Sequence, residues 1–280
     1  MVQVQAYDDP ATVLEVSGAF LATEPVRHNL MLTLLRRCAT TGDAGRFWVV
    51  LDDGPVVGVA FQSPLHYYAT LTPMAPAAAE VLAATIAQQG VELPGINAEV
   101  AAAAAFAGRW TEVARVGARP VEGMRLYDVD VVVDPTRPTP GFARRVTVDD
   151  RDLAVEWAIA FEHESGVVGA GDDLGHVVDR RIAAGELWVW DHEGPVSFLG
   201  VSAPIADAVR IGPVYTPADL RGLGYASALV AASSRAARAD GLRCLLYTDL
   251  NNPQSNSIYR ALGYRSVAEL TRYEFRPTFQ

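Results

Sequence analysis

Two glycines, Gly222 and Gly224, precede an apolar, alanine-rich segment in the second half of the 280-residue chain. They belong to the hexapeptide Arg221-Gly222-Leu223-Gly224-Tyr225-Ala226. Just upstream, an apolar stretch ends at Val214-Tyr215-Thr216. Glycines at the start of a helix leave backbone N–H groups accessible, and the positive end of the helix dipole attracts anions. This strand–turn–helix pattern therefore predicts a site for a ligand that carries a diphosphate.

Other phosphate-binding patterns do not fit this segment. A dinucleotide-binding turn requires a third glycine, and Ser227 stands at its position. All 23 cationic residues are Arg, so the chain contains no Lys. The absence of Lys excludes the P-loop and kinase patterns, and it also excludes Schiff-base and pyridoxal-phosphate chemistry.

Residues 221–226 match the Arg/Gln-x-x-Gly-x-Gly/Ala signature of the GCN5-related N-acetyltransferases. The strand before them and the segment TDLNNPQSNSIYRALGYRSV after them resemble the same superfamily, over roughly residues 187–275. The resemblance implies that the turn holds the diphosphate of acetyl-CoA, the acyl donor. It also implies that backbone groups of Val214, Tyr215 and Thr216 pair with the pantetheine arm as an added strand would.

The resemblance further implies direct attack of an amine on the thioester, with no covalent enzyme intermediate. Backbone N–H groups near Tyr215 would polarise the carbonyl oxygen. Tyr259 occupies the place of the general acid that protonates the departing thiolate. A phenol has an ordinary pKa of about 10, so it is protonated at neutral pH. A core tyrosine with a satisfied hydroxyl is the alternative reading.

Asn252 and Asn256 lie just before Tyr259. We expect them to line the CoA channel, with capping of the short helix as the alternative. An acidic cluster, Phe161-Glu162-His163-Glu164 followed by Asp172-Asp173, falls where the superfamily has its acceptor-side helix and loop. Glu162 and Glu164, together with His163, are therefore candidates for the base that takes the proton of the amine. A solvated helix end is the alternative.

The composition limits other functions. The five histidines show no paired-ligand spacing and Cys38 and Cys244 are two isolated cysteines, so we expect no metal centre. Cys244 reads as a core residue and not as a nucleophile. A net charge of -10 argues against a nucleic-acid partner. The sequence contains neither a long apolar run nor a signal-peptide pattern, which predicts a cytoplasmic protein without a membrane partner.

The chain also resembles itself at an offset of 140 residues. Residues 47–64 align with residues 187–204, so that Trp48 meets Trp188 and Gly54-Pro55-Val56 meets Gly194-Pro195-Val196. We interpret this as two copies of one α/β unit, each a mixed, mostly antiparallel sheet flanked by helices. The predicted boundaries are a domain at 1–134, a Pro-rich linker at 135–145 and a catalytic domain at 146–280.

Hydrophobic patterning in the second half predicts a hairpin and six further elements. These are strands at 196–203, 208–216, 243–250 and 265–276, and helices at 225–240 and 254–262. At the offset of 140, the positions of the predicted phosphate-binding turn (221–226) are occupied in the first half by apolar residues. These include Val81, Leu82, Ala84 and Ile86. The first copy is therefore predicted to be degenerate and not to bind CoA in the usual way.

The sequence as a whole predicts an N-acyltransferase that moves an acetyl or short acyl group from acetyl-CoA to an amine. The acceptor is left open between a small molecule and a peptide, and a homodimer remains an option. Two alternatives have other functions: a non-catalytic acyl-CoA sensor, and a protein-interaction module with a vestigial site. Loss of rate with intact CoA affinity on Tyr259→Phe distinguishes an enzyme from a sensor.

Overall fold

The computed structural model describes residues 1–165 and 173–277, so Asp172 of the acidic cluster lies outside the described residues. The chain divides into two compact units that are each discontinuous in sequence. Unit 1 contains Met1–Leu126, Thr248–Asn251 and Ser266–Gln280. Unit 2 contains Tyr127–Tyr247 and Asn252–Arg265. The last strand of the chain is thus part of the unit built mainly by the first half.

Unit 1 is built from most of the first half of the chain and from the C-terminal strand. Its elements are β1 (Val2–Tyr7), α1 (Pro10–Leu21), α2 (Asn29–Thr41), β2 (Arg46–Asp52), β3 (Val56–Gln62), β4 (Ala69–Leu71), α3 (Pro76–Gln88), β5 (Gly95–Glu99), α4 (Val100–Ala114) and most of β6 (Val116–Val129). The strand order is β1-β2-β3-β4-β5-β12-β6, where β12 (Arg265–Pro277) pairs antiparallel with β5.

Unit 2 carries the segment with the predicted chemistry. Its elements are β7 (Phe142–Arg145), α5 (Arg151–Ser165), α6 (Leu174–Ala183), β8 (Leu187–Asp191), β9 (Pro195–Val201), β10 (Ala208–Tyr215), α7 (Tyr225–Ala239), β11 (Arg243–Asp249) and α8 (Pro253–Ala261). The strand order is β11-β10-β9-β8-β7. The β10–β11 pair is parallel, and the other three pairs are antiparallel.

The order of helices and strands is the same in both halves of the chain: one strand, two helices, three strands, a helix, a strand, a helix and a strand. The prediction of an α/β fold with mixed, mostly antiparallel sheets flanked by helices is confirmed. The matching hairpins also share their backbone conformation. Asp53 and Gly54 in one hairpin, like Glu193 and Gly194 in the other, have positive φ angles. This is the geometry of a two-residue turn that matches the twist of paired strands.

The sheet of unit 2 is covered by helices on both faces. Successive strand residues point to opposite faces, and in β9 Leu199 packs into the cluster that contains α7, whereas Phe198 packs into a cluster with Trp157 of α5. The α7 cluster includes Leu229 and Tyr259. Two helical layers therefore fix both faces of β10, the strand that leads into the phosphate turn.

The predicted elements of the second half agree with the structure to within two residues at their ends. One strand was not predicted. Phe142–Arg145, within the expected linker, forms β7 and pairs with β8. Its four residues follow a Pro-rich stretch and are too few to show a period of two. In the described part of the chain, every helix is too short or too polar to cross a membrane.

Candidate active site

A cavity of about 460 Å³ opens in unit 2 between the end of β10, the start of α7, the end of α5 and the start of α8. Most of the predicted site residues line it. These are Glu164, Val214, Tyr215, Thr216, Arg221, Gly222, Gly224, Tyr225, Ala226, Asn252 and Tyr259. Three predicted residues, Glu162, Leu223 and Asn256, are not part of its lining. The fold thus brings Glu164 and Tyr259, which are nearly 100 residues apart in the sequence, to one cavity.

The end of β10 has an open backbone edge. Its described pairing with β11 covers Ala208 to Arg210, whereas its pairing with β9 continues to Tyr215. A register shift between Ile211 and Val214 separates the two parts of the strand. One backbone edge of Val214 and Tyr215 therefore faces the cavity. An extended ligand can pair with this edge as an added strand would.

Side chains hold the end of this strand in place. The buried Ser197 donates a hydrogen bond from Oγ to the Tyr215 carbonyl oxygen at 3.1 Å, and its hydroxyl lies 2.9 Å from that of Thr216. Arg221 donates from Nε to the Thr216 carbonyl oxygen at 2.8 Å. These contacts fix the backbone of the strand end beside the cavity.

Both glycines of the turn are needed for its backbone. Gly222 and Gly224 have φ angles of 78° and 90°, a region that side chains with a Cβ rarely adopt. A Cβ on Gly224 would also lie 2.8 Å from the Thr139 hydroxyl oxygen. Gly224 is the N-cap residue of α7, and no side chain of the described residues caps this helix end. The N–H groups of the first turn of α7 are thus left for a ligand.

These N–H groups lie at the cavity, because Tyr225, Ala226 and Ser227 all line it. The start of a helix of this length combines unpaired donors with a partial positive charge, which suits a phosphate group. Anion binding by residues 221–226 stays a prediction, and the geometry of the turn is compatible with it. The Arg221 backbone N–H itself donates to the Ala218 carbonyl oxygen at 3.4 Å, so its side chain and the later N–H groups are the better donors.

Glu164 reaches the cavity from the end of α5 and binds the turn. Its carboxylate accepts a hydrogen bond from Arg221 Nη2 at 2.5 Å and one from the Tyr215 hydroxyl at 3.1 Å. The Arg221 guanidinium holds the pKa of Glu164 below its usual range, with a further contribution from Tyr215. A carboxylate stabilised in this way is a weakened proton acceptor. The contacts favour a role for Glu164 in holding Arg221.

The other acidic candidates lie elsewhere. Among the described residues that line the cavity, Glu164 is the one carboxylate. Glu162 and His163 are outside the lining, and Asp173 accepts a hydrogen bond from the Gly175 N–H as the N-cap of α6. The alternative of a helix end therefore fits Asp173, and Glu164 is the one carboxylate among the described residues of the cluster that lines the cavity.

Tyr259 has the environment of a proton donor. Its ring is buried against Tyr127 and Tyr264, with centroid separations of 6.3 and 5.9 Å. Its hydroxyl makes no hydrogen bond to the described residues, and the residue lines the cavity. Burial raises the pKa of Tyr259 to about 12. The phenol therefore stays protonated, with its proton available to a group in the cavity.

The two asparagines have different roles. Asn252 is the N-cap of α8 and accepts a hydrogen bond from the Ser255 N–H at 2.9 Å, and it also lines the cavity. Asn256 is buried, donates from Nδ2 to the Asn252 carbonyl oxygen and accepts from the Tyr127 hydroxyl at 3.0 Å. Asn256 therefore supports the aromatic cluster behind Tyr259 and does not reach the cavity.

Sequence reasoning missed several lining residues, and these are Phe161, Ser165, Leu220, Ser227, Val230, Gln254, Ser255 and Ile258. Ser227 could have been found, because it is the third residue of α7 and its N–H belongs to the helix end. Phe161 and Ser165 give no sequence signal, since these two residues of α5 reach the cavity only through the packing of α5 on the sheet.

The described residues contain no candidate metal-ligand group, and Cys244 lies outside the lining of the cavity. In residues 1–165 and 173–277, no group of three or more His, Cys, Asp or Glu side chains could hold a metal ion. Cys244 is buried, and burial raises the pKa of its thiol to about 12. A thiol with such a pKa is a poor nucleophile at neutral pH, in keeping with its predicted place in the core.

The corresponding connection in unit 1 lacks a glycine turn. It runs from the end of β4 at Leu71 to the start of α3 at Pro76, and it is shorter than the connection from Tyr215 to Tyr225 in unit 2. Proline at the first helical position supplies no N–H group. The residue-by-residue match of Val81 to Ile86 with the turn is wrong, because these residues lie within α3 and the shorter connection shifts the register.

Comparisons with known proteins agree with this geometry. Residues 206–273 match the family model of FR47-like proteins. No curated protein matches the sequence. An acetyltransferase of the GNAT family from Colwellia psychrerythraea is similar in structure, with a TM-score of 0.64, 14% identity and coverage of 98% of this chain and 100% of that chain.

Two further structures have the same architecture. A GCN5-related N-acetyltransferase from Sphaerobacter thermophilus gives a TM-score of 0.62 at 17% identity, over 99% of this chain and 97% of its own. A tandem GNAT protein from the clavulanic acid biosynthesis pathway gives a TM-score of 0.57 at 12% identity, over 100% of both chains. The chain therefore shares its fold with these GCN5-related N-acetyltransferase structures.

Proposed function

We propose that unit 2 is an acyl-CoA-dependent N-acyltransferase that moves an acetyl or short acyl group to an amine. The observation that carries this proposal is the start of α7, which no described side chain caps. It opens into the same cavity as the hydroxyl of Tyr259, which makes no hydrogen bond within residues 1–165 and 173–277. An anion-binding turn and a proton donor in one cavity suit a thioester of a nucleotide-containing thiol. The acetyltransferases among similar structures support this choice of chemistry.

Residues along the cavity have different roles in binding and catalysis. The N–H groups at the start of α7 bind the diphosphate, and the open edge of β10 at Val214 and Tyr215 pairs with the pantetheine arm. This places the thioester near Tyr259, whose hydroxyl protonates the thiolate as it leaves. A backbone N–H near Tyr215 stabilises the negative charge that develops on the carbonyl oxygen. The neutral amine attacks directly, so the C–N bond forms as the C–S bond breaks and no residue forms a covalent intermediate. The proton that the nitrogen loses passes to water, and water returns a proton to Tyr259.

Thiol release from acetyl-CoA, measured against a panel of amines, tests the proposal. The panel should include amino acids, polyamines, aminoglycosides and peptides with free N-termini. We expect at least one class of amine to raise thiol release well above the rate of hydrolysis, with a matching acetylated product by mass spectrometry. Binding of acetyl-CoA without turnover of any amine would instead favour an acyl-CoA sensor. Failure of acetyl-CoA to bind would contradict both functions.

A further inference from the structure

The segment between β6 and β7 is fixed along helix α7, and we call residues 130–141 the strap. Arg238 near the end of α7 donates from Nη2 to the Asp130 carboxylate at 2.8 Å and from Nε to the Asp130 carbonyl oxygen at 3.1 Å. One turn earlier in the helix, Arg235 Nη1 lies 2.5 Å from the Asp134 carboxylate. The strap thus runs antiparallel to α7, towards the start of the helix.

The far end of the strap lies at the phosphate turn. The Pro140 carbonyl oxygen accepts a hydrogen bond from Trp190 Nε1 at 2.8 Å. The hydroxyl of Thr139 fills the space beside Gly224, since a Cβ on that glycine would lie 2.8 Å from the hydroxyl oxygen. The same hydroxyl donates to the Arg137 carbonyl oxygen at 3.4 Å. The backbone of Arg137 is therefore held within one arginine side-chain length of the turn.

Arg137 is a cation without a local partner. Its side chain is exposed, and it forms no ion pair with the described residues. The other arginines around α7 are engaged, because Arg221 binds Glu164 whereas Arg235 and Arg238 bind the strap. An arginine held beside an anion-binding turn, with its guanidinium unpaired, is suited to a second phosphate group outside the cavity.

We propose that Arg137 of the strap binds the 3′-phosphate of CoA, and that the strap thereby selects CoA over donors that lack this phosphate. The inference rests on the proposed function, which places the CoA diphosphate at the start of α7. In CoA a single ribose separates the 3′-phosphate from the diphosphate, so a diphosphate bound at the turn brings the 3′-phosphate close to the turn as well. The N–H groups of α7 already bind the diphosphate, whereas the 3′-phosphate needs a cation at the rim of the cavity.

The test compares the dissociation constants of acetyl-CoA and acetyl-dephospho-CoA for the full chain and its variants. An exposed arginine–phosphate contact corresponds to about a fivefold change in affinity. We expect the wild-type protein to bind acetyl-CoA about fivefold more tightly than acetyl-dephospho-CoA, by the same reasoning. Arg137→Ala should abolish this preference by weakening acetyl-CoA alone, and Arg137→Lys should retain part of it. The preference should shrink as salt is added.

Arg36→Ala is the matched control, because Arg36 is an exposed arginine of α2 in unit 1 and its loss changes the net charge equally. It should leave both constants unchanged. Equal weakening of both ligands by Arg137→Ala, or no weakening of either, would overturn the inference while leaving the proposed function intact. Wild-type protein that binds neither ligand would overturn both. A thermal unfolding midpoint within the error of wild type shows that the variants are folded.

Discussion

At the scale of single residues, turnover in the proposed mechanism depends on Tyr259. Its hydroxyl makes no hydrogen bond to the described residues, and burial raises the pKa of Tyr259 to about 12. We expect Tyr259→Phe to slow turnover by about 10²-fold or more, the usual range for loss of a general acid. The dissociation constant of acetyl-CoA should stay within about twofold, because the turn and the strand edge are untouched.

Tyr127→Phe is the matched control for Tyr259→Phe, since it also removes a hydroxyl from the same aromatic cluster without changing the cavity lining. It should leave the turnover rate nearly unchanged. The pH profile adds a second readout. An acid must be protonated, and a raised pKa extends its working range upwards, so no fall in rate from Tyr259 is expected below about pH 11. Full activity in Tyr259→Phe would show that another group protonates the thiolate.

Under the proposed function, Glu164 and the CoA diphosphate compete for Arg221. Both side chains of this ion pair are 44% exposed, so the pair contributes about 1 kcal/mol at most. A bound diphosphate draws on the same guanidinium. We therefore expect Glu164→Gln to raise the affinity for acetyl-CoA by up to about fivefold. Because the carboxylate holds Arg221 and does not take the proton of the amine, the turnover rate should remain within about twofold of wild type.

Glu162→Gln supplies the control for this variant, since Glu162 is a neighbouring carboxylate on α5 that does not line the cavity. It should change neither affinity nor rate. If Glu164→Gln instead slowed turnover by about two orders of magnitude, Glu164 would be identified as the general base. The sequence predicted that role from the position of a carboxylate at the end of a helix. The pairing of Glu164 with Arg221 could not be predicted, because it depends on the packing of α5.

At the scale of elements, the turn before α7 depends on backbone conformation. Gly224→Ala introduces a Cβ at a φ of 90° and 2.8 Å from the Thr139 hydroxyl, so the turn must move. We expect at least a tenfold loss of affinity for acetyl-CoA, measured by calorimetry, because the N–H groups of α7 then point away from the diphosphate. The strain itself should destabilise the fold by about 1 kcal/mol.

Gly241→Ala separates strain from binding. Gly241 has a φ of 78° just beyond the other end of α7, and a Cβ there would meet nothing within 4 Å. This variant should lose a similar amount of stability in denaturant unfolding and keep its affinity for acetyl-CoA. If both variants lose affinity to the same degree, the turn has no special role in binding.

The elements of the second half could be predicted because each has a clear local pattern. The helix over Tyr225–Ala239 is preceded by a glycine, and the strands on either side of it are mostly apolar. Strand β7 could not be predicted, because it depends on pairing with β8 and not on its own four residues. The contacts of the strap with α7 were missed for the same reason, since Asp130 and Arg238 are far apart in the chain.

At the scale of the whole molecule, two halves with one order of helices and strands differ at the connection that leads into the central helix. The repeat was visible in the sequence through Trp48 and Trp188 and through the two Gly-Pro-Val segments. The place of β12 in the sheet of unit 1 was not visible, because strand order in a sheet depends on contacts between distant segments. The first half has the strands and helices of the fold and lacks the glycine turn.

The stoichiometry of acetyl-CoA binding tests the central claim most directly, since the claim assigns ligand binding to the glycine turn before α7. Isothermal titration of the full chain with acetyl-CoA should give one molecule bound per chain, and Gly224→Ala should weaken that single site. Two equivalent sites would show that the connection before α3 also binds the ligand. No binding, or a single site that Gly224→Ala leaves unchanged, would contradict the account.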